Sequence, residues 1–392
     1  MVDQSELPYR MLTRKYGAQI CYTPMYHARL FSTDTKYRRD MFTPHPEDRP
    51  LVVQFCANDP DILLNAARYV ENDCDAVDIN LGCPQGIAKK GNYGSFLLEK
   101  TELIVSMVRK LKENLKVPVT CKIRCLPNEK DTLHLAKEIE KAGASLLTVH
   151  GRTRDHNKQT VGPCHYSAVK RIKETLSIPV IINGGISTFA DVERALEFTG
   201  CDGVMTSEGI LEYPALFDGS KTHDMDDLIL EYLEFFKKYP GEANFKIVRA
   251  HMHKFMHSGF TLHGHSDLRD KMNKIDGKRD MFEQYLEIAQ EMKERRKDIA
   301  PIDKITWYYR HWKEQGQLAL EGLKHREELP QSQIMDCEWD DWMRDDPRNP
   351  QSQKAKDEKA EEKKKMKLER KNKAEPPSNT QPEEAKQPTA EA

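Results

Sequence analysis

The residues best placed to do chemistry lie in Asp78-Ile79-Asn80-Leu81-Gly82-Cys83-Pro84. An apolar strand there ends in an amide, a glycine and a thiol backed by proline. A buried strand needs none of these groups, whereas a site that hydrogen-bonds a substrate and moves a proton needs both the amide and the thiol. Taken alone, Cys83 reads equally well as a small buried hydrophobe. The other strand ends shift that balance. Gln54 closes one apolar run, and Cys121-Lys122-Ile123-Arg124 sets Lys122 and Arg124 on one face at period two. His150 ends another run, Asn183-Gly184-Gly185 the next, and Ser207-Glu208-Gly209 follows the last. Paired glycines and a helix N-terminus at the final two strand ends suit a phosphate, bound through backbone N–H groups. Lys and His nearby suit a flat, nitrogen-rich, anionic ring, since a buried Lys would stabilise the charge of a reduced flavin. The chain contains neither a GxGxxG fingerprint nor a GxxxxGK[ST] loop, which disfavours a dinucleotide-binding dehydrogenase or an NTPase.

The elements that must position these groups alternate. Short Val- and Ile-rich runs at 18–23, 51–56, 76–83, 119–125, 146–151, 180–185 and 203–207 are separated by helical periods at 61–71, 102–113, 131–141, 166–174 and 190–198. Proline precedes strands at Pro118 and Pro179, and glycine closes helices at Gly143 and Gly200. The runs read as continuous apolar strands covered by helices. The fold class is therefore α/β, a TIM (β/α)8-type barrel over 1–222. Only seven strands can be counted, and Asp3 to Tyr16 reads as the helix following an earlier strand, so an N-terminal barrel strand is expected to be missing.

From about Asp226 the period is purely helical, with helices expected at 226–239, 245–257, 267–275 and 281–296. These form a small all-α domain over 223–300. Basic and aromatic residues mix through it, including Lys246, Arg249, His251, His253, Lys254, Arg269, Lys271 and Lys274. Such mixing fits a surface that tracks a phosphate backbone, and fits equally an ordinary bundle with solvated cations. The segment 301–346, with Trp307 and Trp339, is expected to pack back on the body. The Lys/Glu-rich tail over 347–392 is too poor in apolar residues to offset its ordering entropy, so disorder is expected there.

Bulk composition narrows the class. The chain has 392 residues, a net charge of −2, and 38% hydrophobic against 32% charged residues, so overall charge argues neither for nor against a polyanionic partner. Nine cysteines without a repeating spacing read as free thiols in a reducing compartment. No apolar run approaches the roughly 20 residues needed to span a bilayer. No HExxH arrangement or Cys cluster points to a metal. The expectation is a soluble cytoplasmic protein, with a nuclear location left open, monomeric, and without membrane or metal.

Asp78-Ile-Asn-Leu-Gly-Cys-Pro-Gln, followed by Lys89-Lys90-Gly91-Asn92-Tyr93-Gly94-Ser95, resembles the signature of the tRNA-dihydrouridine synthases. Val53-Gln54-Phe55, Cys121-Lys122-Ile123-Arg124, Val149-His150-Gly151-Arg152-Thr153 and Ile182-Asn183-Gly184-Gly185-Ile186 fall in that family's order. Within the family, Val2 to Leu7 and Tyr22 to Ala28 look most like the eukaryotic branch acting on positions 16/17 of the D loop. The resemblance implies FMN as cofactor, NADPH as its reductant and tRNA as partner. It implies hydride transfer from flavin N5 to uracil C6, with Cys83 protonating C5 as a general acid. Asn80 and Arg124 would bind the substrate base. Met1, Gln54, Lys122 and His150 would meet the flavin ring, Met1 standing where the family's first strand ends in Ala-Pro-Met. Asn183, Gly184, Gly185, Ser207 and Glu208 would hold the phosphate end. Many members carry Gly-Arg where this chain has Ser207-Glu208, so the phosphate would be met there by backbone N–H groups with the Glu208 carboxylate turned away. Two further readings stay open on the sequence: a tRNA-binding protein without catalysis, and a flavin reductase of a free small molecule.

Overall fold

A computed structural model of the chain describes residues 4–156, 164–262, 265–275, 277, 280–298 and 361. Met1, the 301–346 segment and, apart from Glu361, the 347–392 tail lie outside the described residues. The strands are β1 (Cys21–Tyr22), β2 (Tyr26–His27), β3 (Leu51–Cys56), β4 (Ala76–Leu81), β5 (Val119–Cys125), β6 (Leu146–Thr153), β7 (Val180–Asn183) and β8 (Gly203–Met205). The helices are α1 (Leu7–Lys15), α2 (Ala28–Thr33), α3 (Thr35–Met41), α4 (Pro60–Arg68), α5 (Gly86–Gly91), α6 (Thr101–Asn114), α7 (Glu129–Lys141), α8 (Tyr166–Thr175), α9 (Phe189–Thr199), α10 (Glu208–Glu212), α11 (Met225–Lys238), α12 (Phe245–Phe255), α13 (His257–Leu262), α14 (Ser266–Asn273) and α15 (Met281–Arg296).

The strands form one parallel sheet in the order β1-β3-β4-β5-β6-β7-β8, wrapped by helices as in a TIM-type barrel. β2 continues along the same edge of β3 as β1, pairing Tyr26 with Phe55 after Cys21 pairs with Leu51. The sheet thus has seven lateral positions, the number counted in the sequence. Among the described residues no strand joins β8 to β1.

The central strands correct one expectation. They are not continuously apolar but alternate. Val77, Ile79, Leu81, Val119, Cys121, Ile123, Leu147 and Val149 are fully buried under the helices. The intervening Asp78, Asn80, Thr120, Lys122, Arg124, Thr148 and His150 point the other way, and cross-strand register aligns Asn80, Lys122 and Thr148, then Arg124, His150 and Asn183. The barrel is apolar outside and polar inside, so the alternation aims every functional side chain at one interior. Between Arg124 and Cys125 the register shifts: Arg124 pairs with His150 but Cys125 with Thr153, leaving Gly151 and Arg152 unopposed in a bulge.

Helix starts are chemically marked. Asp59 accepts from Asp61 and Ile62 N–H ahead of Pro60, and Thr188 with Asp191 forms a capping box. The sequence pattern marks no element over 24–50. There Asp34 caps α3 by accepting from Lys36 and Tyr37 N–H, and Phe31 packs against Tyr26 and Phe55. The helix expected over 245–257 breaks at Met256 into α12 and α13. Tyr9, Leu12 and Tyr16, in and just after α1, share a hydrophobic core with α11, α12, α14 and α15. Glu6 accepts from Tyr232 Oη at 3.0 Å and pairs with His251 Nε2 at 3.0 Å. His251 stacks on Tyr9 with ring centroids 4.4 Å apart.

Candidate active site

The carboxyl ends of the strands open into a cavity of about 1100 Å³. Gln54, Asn80, Cys83, Lys122, Arg124, His150, Asn183, Gly184, Gly185, Ser207 and Glu208 all line it, so every described residue singled out for the site meets in one place. Met1 lies outside the described residues. Sequence reasoning did not select Arg152, which also lines the cavity, although its position two residues beyond His150 puts it on the same face.

Cys83 is the one half-buried thiol among the described cysteines, the others being buried. Its backbone is held from both sides. Asn80 Oδ1 accepts from Gly82 N at 3.1 Å and Cys83 N at 3.0 Å, while the Cys83 carbonyl accepts from Ser95 N at 3.1 Å and Ser95 Oγ at 2.9 Å. The Arg124 Nε donates to the Gly82 carbonyl at 2.9 Å, and its Nη1 donates to the Thr153 and His156 carbonyls. Behind Cys83, Cys56 and Tyr93 pack into a small cluster with Ala88. Burial, then the nearby Cys83, pushes the Cys56 thiol up to about 12, so it stays protonated.

Deeper in, Asp78 is fully buried and receives Thr120 Oγ1 at 2.6 Å and Gln54 Nε2 at 2.8 Å. Gln54 Oε1 accepts from Asn80 Nδ2 at 2.7 Å. Burial raises the Asp78 carboxyl, opposed by those two hydrogen bonds and by Lys122.

Three cations crowd the wall formed by the adjoining strands β5 and β6. Burial and the neighbouring Arg124 lower Lys122 to about 8, and burial and Arg152 lower Arg124 to about 10. Burial, with all three of these cations nearby, holds His150 well below its ordinary imidazole value, so it is neutral. Arg152 Nη1 lies 3.3 Å from His150 Nε2; since the guanidinium only donates, Nε2 accepts and the ring proton sits on Nδ1. This wall is built for negative charge.

At the end of β7 the chain turns through Gly184 (φ 102°) and Gly185 (φ 74°), a left-handed pair that side chains would strain. A Cβ on Gly184 would also lie 2.6 Å from His150 Cδ2 and 2.9 Å from Cys164 Sγ. Asn183 is pinned by donating to the Met205 carbonyl at 2.9 Å, and Tyr166 Oη donates to the Gly184 carbonyl at 3.2 Å. Ser207 begins α10 without a side-chain cap. The bare glycine cradle, the polar interior and the cationic wall together fit an anionic ring system with a phosphate arm. Among the described residues no group of His, Cys, Asp and Glu could hold a metal ion, and no helix is long and apolar enough to cross a membrane.

In the helical part, two residues expected on a basic surface are inside: His251 bonds Glu6, and Lys254 Nζ donates to Gln4 Oε1 at 2.6 Å. Lys246, Arg269 and Lys274 are exposed.

A mouse (Mus musculus) protein named as tRNA-dihydrouridine(16/17) synthase-like, with NAD(P)(+) in its name, is 42% identical over 318 residues, 80% of this chain and 66% of its own. The chain thus spans about two-thirds of that relative's length. The tRNA-dihydrouridine(16/17) synthase of Saccharomyces cerevisiae is 43% identical over 326 residues, 78% of this chain and 76% of that one. That of Schizosaccharomyces pombe is 43% identical over 285 residues, covering 69% and 71%. The model of the family described as dihydrouridine synthase (Dus) matches residues 1–304, and with the strand-end residues gathered around one cavity that Cys83 also lines, the chain belongs to that family.

Proposed function

We propose that this chain reduces uridine to 5,6-dihydrouridine in the D loop of tRNA, at positions 16/17, with NADPH as the source of electrons and FMN as the resident cofactor. The observation that carries the reading is the placement of Cys83: a half-buried thiol, its backbone pinned on both sides, lining the cavity that Lys122, Arg124 and Arg152 also line. FMN, when bound, supplies the hydride that reaches uracil C6. Lys122 and His150 would lie against its ring, with Gln54, and Asn183, Gly184, Gly185 and the backbone N–H groups at Ser207 and Glu208 would take its phosphate arm. Hydride addition at C6 leaves negative charge over C5 and O4 of the uracil. Cys83 breaks its S–H bond to protonate C5, keeps the electron pair on sulfur, and regains a proton from solvent. Asn80 and Arg124 hold the base, and the neighbouring positive charge of Arg124 and Arg152 stabilises the charge that develops on it.

The base must leave its stack to reach Cys83, at a cost of a few kcal/mol that is smallest in a looped arm. Lys246, Arg269 and Lys274 on the helical part support contact with the phosphate backbone of tRNA. The free thiols suit a reducing compartment, and we place the monomeric protein in the cytoplasm, with access to the nucleus.

The test is anaerobic. Purified protein should show flavin absorbance that bleaches with NADPH and returns on adding tRNA, with dihydrouridine formed. Cys83→Ala should bleach normally yet form dihydrouridine at least about a hundredfold more slowly, the usual contribution of a placed general acid. Dihydrouridine formation at the full rate in this variant would remove Cys83 from the proton-donor role.

A further inference from the structure

The buried Asp78 does not line the cavity, yet a directed chain of hydrogen bonds leads from it to Cys83. Thr120 Oγ1 donates to one Asp78 oxygen and Gln54 Nε2 to the other. Gln54 Oε1 then accepts from Asn80 Nδ2, and Asn80 Oδ1 accepts from the N–H groups of Gly82 and Cys83. Each amide has an oxygen end and a nitrogen end, so the chain could in principle run either way. Both ends demand the same direction here. The carboxylate accepts only and so takes the nitrogen of Gln54; the backbone N–H groups donate only and so take the oxygen of Asn80.

We propose that Asp78 is a positioning residue whose carboxylate matches the polarity that the backbone N–H groups of Gly82 and Cys83 also demand, and that this polarity both holds the Cys83 loop and fixes the group Asn80 shows to the cavity. With Oδ1 occupied by two backbone donors and one Nδ2 hydrogen spent on Gln54, Asn80 has one N–H left. It faces the base as a donor and meets a carbonyl oxygen of uracil; it cannot accept from a ring N–H. A base presenting an amino group at that point meets donor against donor and is rejected, since a buried unpaired polar group is strongly disfavoured. The substrate part of this inference rests on the function proposed above; the loop part rests on geometry alone.

The experiment reverses the chain. In Asn80→Asp both ends of Gln54 face a carboxylate, one of which must confront its Oε1, so the chain that backs the loop is broken at one point although the backbone N–H groups keep their acceptor. In Asp78→Asn/Asn80→Asp every bond is remade in the opposite sense. Thr120 Oγ1 donates to the amide oxygen introduced at position 78, and the amide nitrogen there donates to Gln54 Oε1. Gln54 Nε2 then donates to the carboxylate introduced at position 80, whose oxygens still receive the backbone N–H groups. In Asp78→Asn alone the original direction survives, because the new amide can donate to Thr120 Oγ1.

The readout is the rate of Cys83 alkylation by iodoacetamide in the full-length protein, followed by mass spectrometry of its peptide, alongside dihydrouridine formation. Asn80→Asp should raise alkylation about tenfold, the equivalent of one lost hydrogen bond. Asp78→Asn should stay within about twofold of the unaltered protein. The double variant should return to that range while remaining unable to reduce uridine, since it shows the base a carboxylate. Should Asn80→Asp not fold, recovery of folded protein in the double variant is the same readout. Failure of the double variant to recover, or unchanged alkylation in Asn80→Asp, overturns the proposal. Recovered alkylation in a protein whose parent forms no dihydrouridine would instead leave Asp78 in its role and overturn the proposed function.

Discussion

At the scale of residues, charge at the site is held against the preference of its surroundings. Lys122 sits half-buried beside Arg124, with burial and that neighbouring guanidinium both opposing its charge. Its value of about 8, against the ordinary 10.5, means the unfolded chain binds that proton more tightly between those two pH values. Stability attributable to this group therefore rises with pH across that window, and below about pH 8 the buried charge is a cost. Lys122→Met should stabilise the flavin-free protein at about pH 7 by on the order of 2 kcal/mol in urea unfolding and leave little gain near pH ~11. The same variant should weaken retention of an anionic cofactor. Equal gains at both pH values would show that packing, not charge, is responsible. Of this chemistry the sequence revealed the residue types: Lys122, Arg124 and His150 announce themselves by ending strands. It did not reveal Asp78 and Thr120 as supports, because a carboxylate inside an apolar strand signals nothing until its partners on two neighbouring strands are known.

At the scale of elements, the end of β7 is the most tightly specified turn. Gly184 combines a left-handed backbone with contacts that leave no room for a methyl group. Gly184→Ala should abolish flavin retention, measured by absorbance after gel filtration, and lower stability by about 2 kcal/mol or more through strain and displacement of His150. Gly200→Ala is the matching comparison: its φ is 65°, but nothing lies within 4 Å of where a methyl group would stand, so it should cost about 1 kcal/mol and keep the flavin. The β-strands were legible because Val and Ile concentrate where helices cover them, and β3 and β5 have the bounds read from sequence. The region of α2 and α3 was not legible. Its helices are too short to show a period, and they exist because Asp34 caps one and Phe31 anchors the other on Tyr26 and Phe55.

At the scale of the whole molecule, the N-terminal segment fastens the helical part to the barrel. Asp48, almost wholly buried, pairs with Arg10 at 2.7 Å and Arg14 at 3.0 Å, tying α1 to the loop before β3. The other side of α1 feeds the core of α11, α12 and α15, and Glu6 reaches His251 and Tyr232. Asp48→Ala leaves the Arg10 charge buried without its partner and should destabilise the protein by about 3–5 kcal/mol. Barrel and helical part should then lose structure together, as followed by flavin release and helical circular dichroism; two separate transitions would show that α1 does not couple them. The helices of this part were readable from their period. Their dependence on α1 was not, because it comes from contacts between residues far apart in the chain, such as Tyr232 to Glu6.

The bulge in β6 has a consequence for how the gene can change length. Gly151 and Arg152 are an even surplus over β5, so the chain re-enters the ladder at Thr153 with inside and outside unchanged, and Arg152 is gained for the cavity. Removing both residues would conserve that parity and delete one cation. Removing either alone would invert it, turning the rest of β6 toward the wrong face. At this point in the fold, codons can be lost in twos but not in ones.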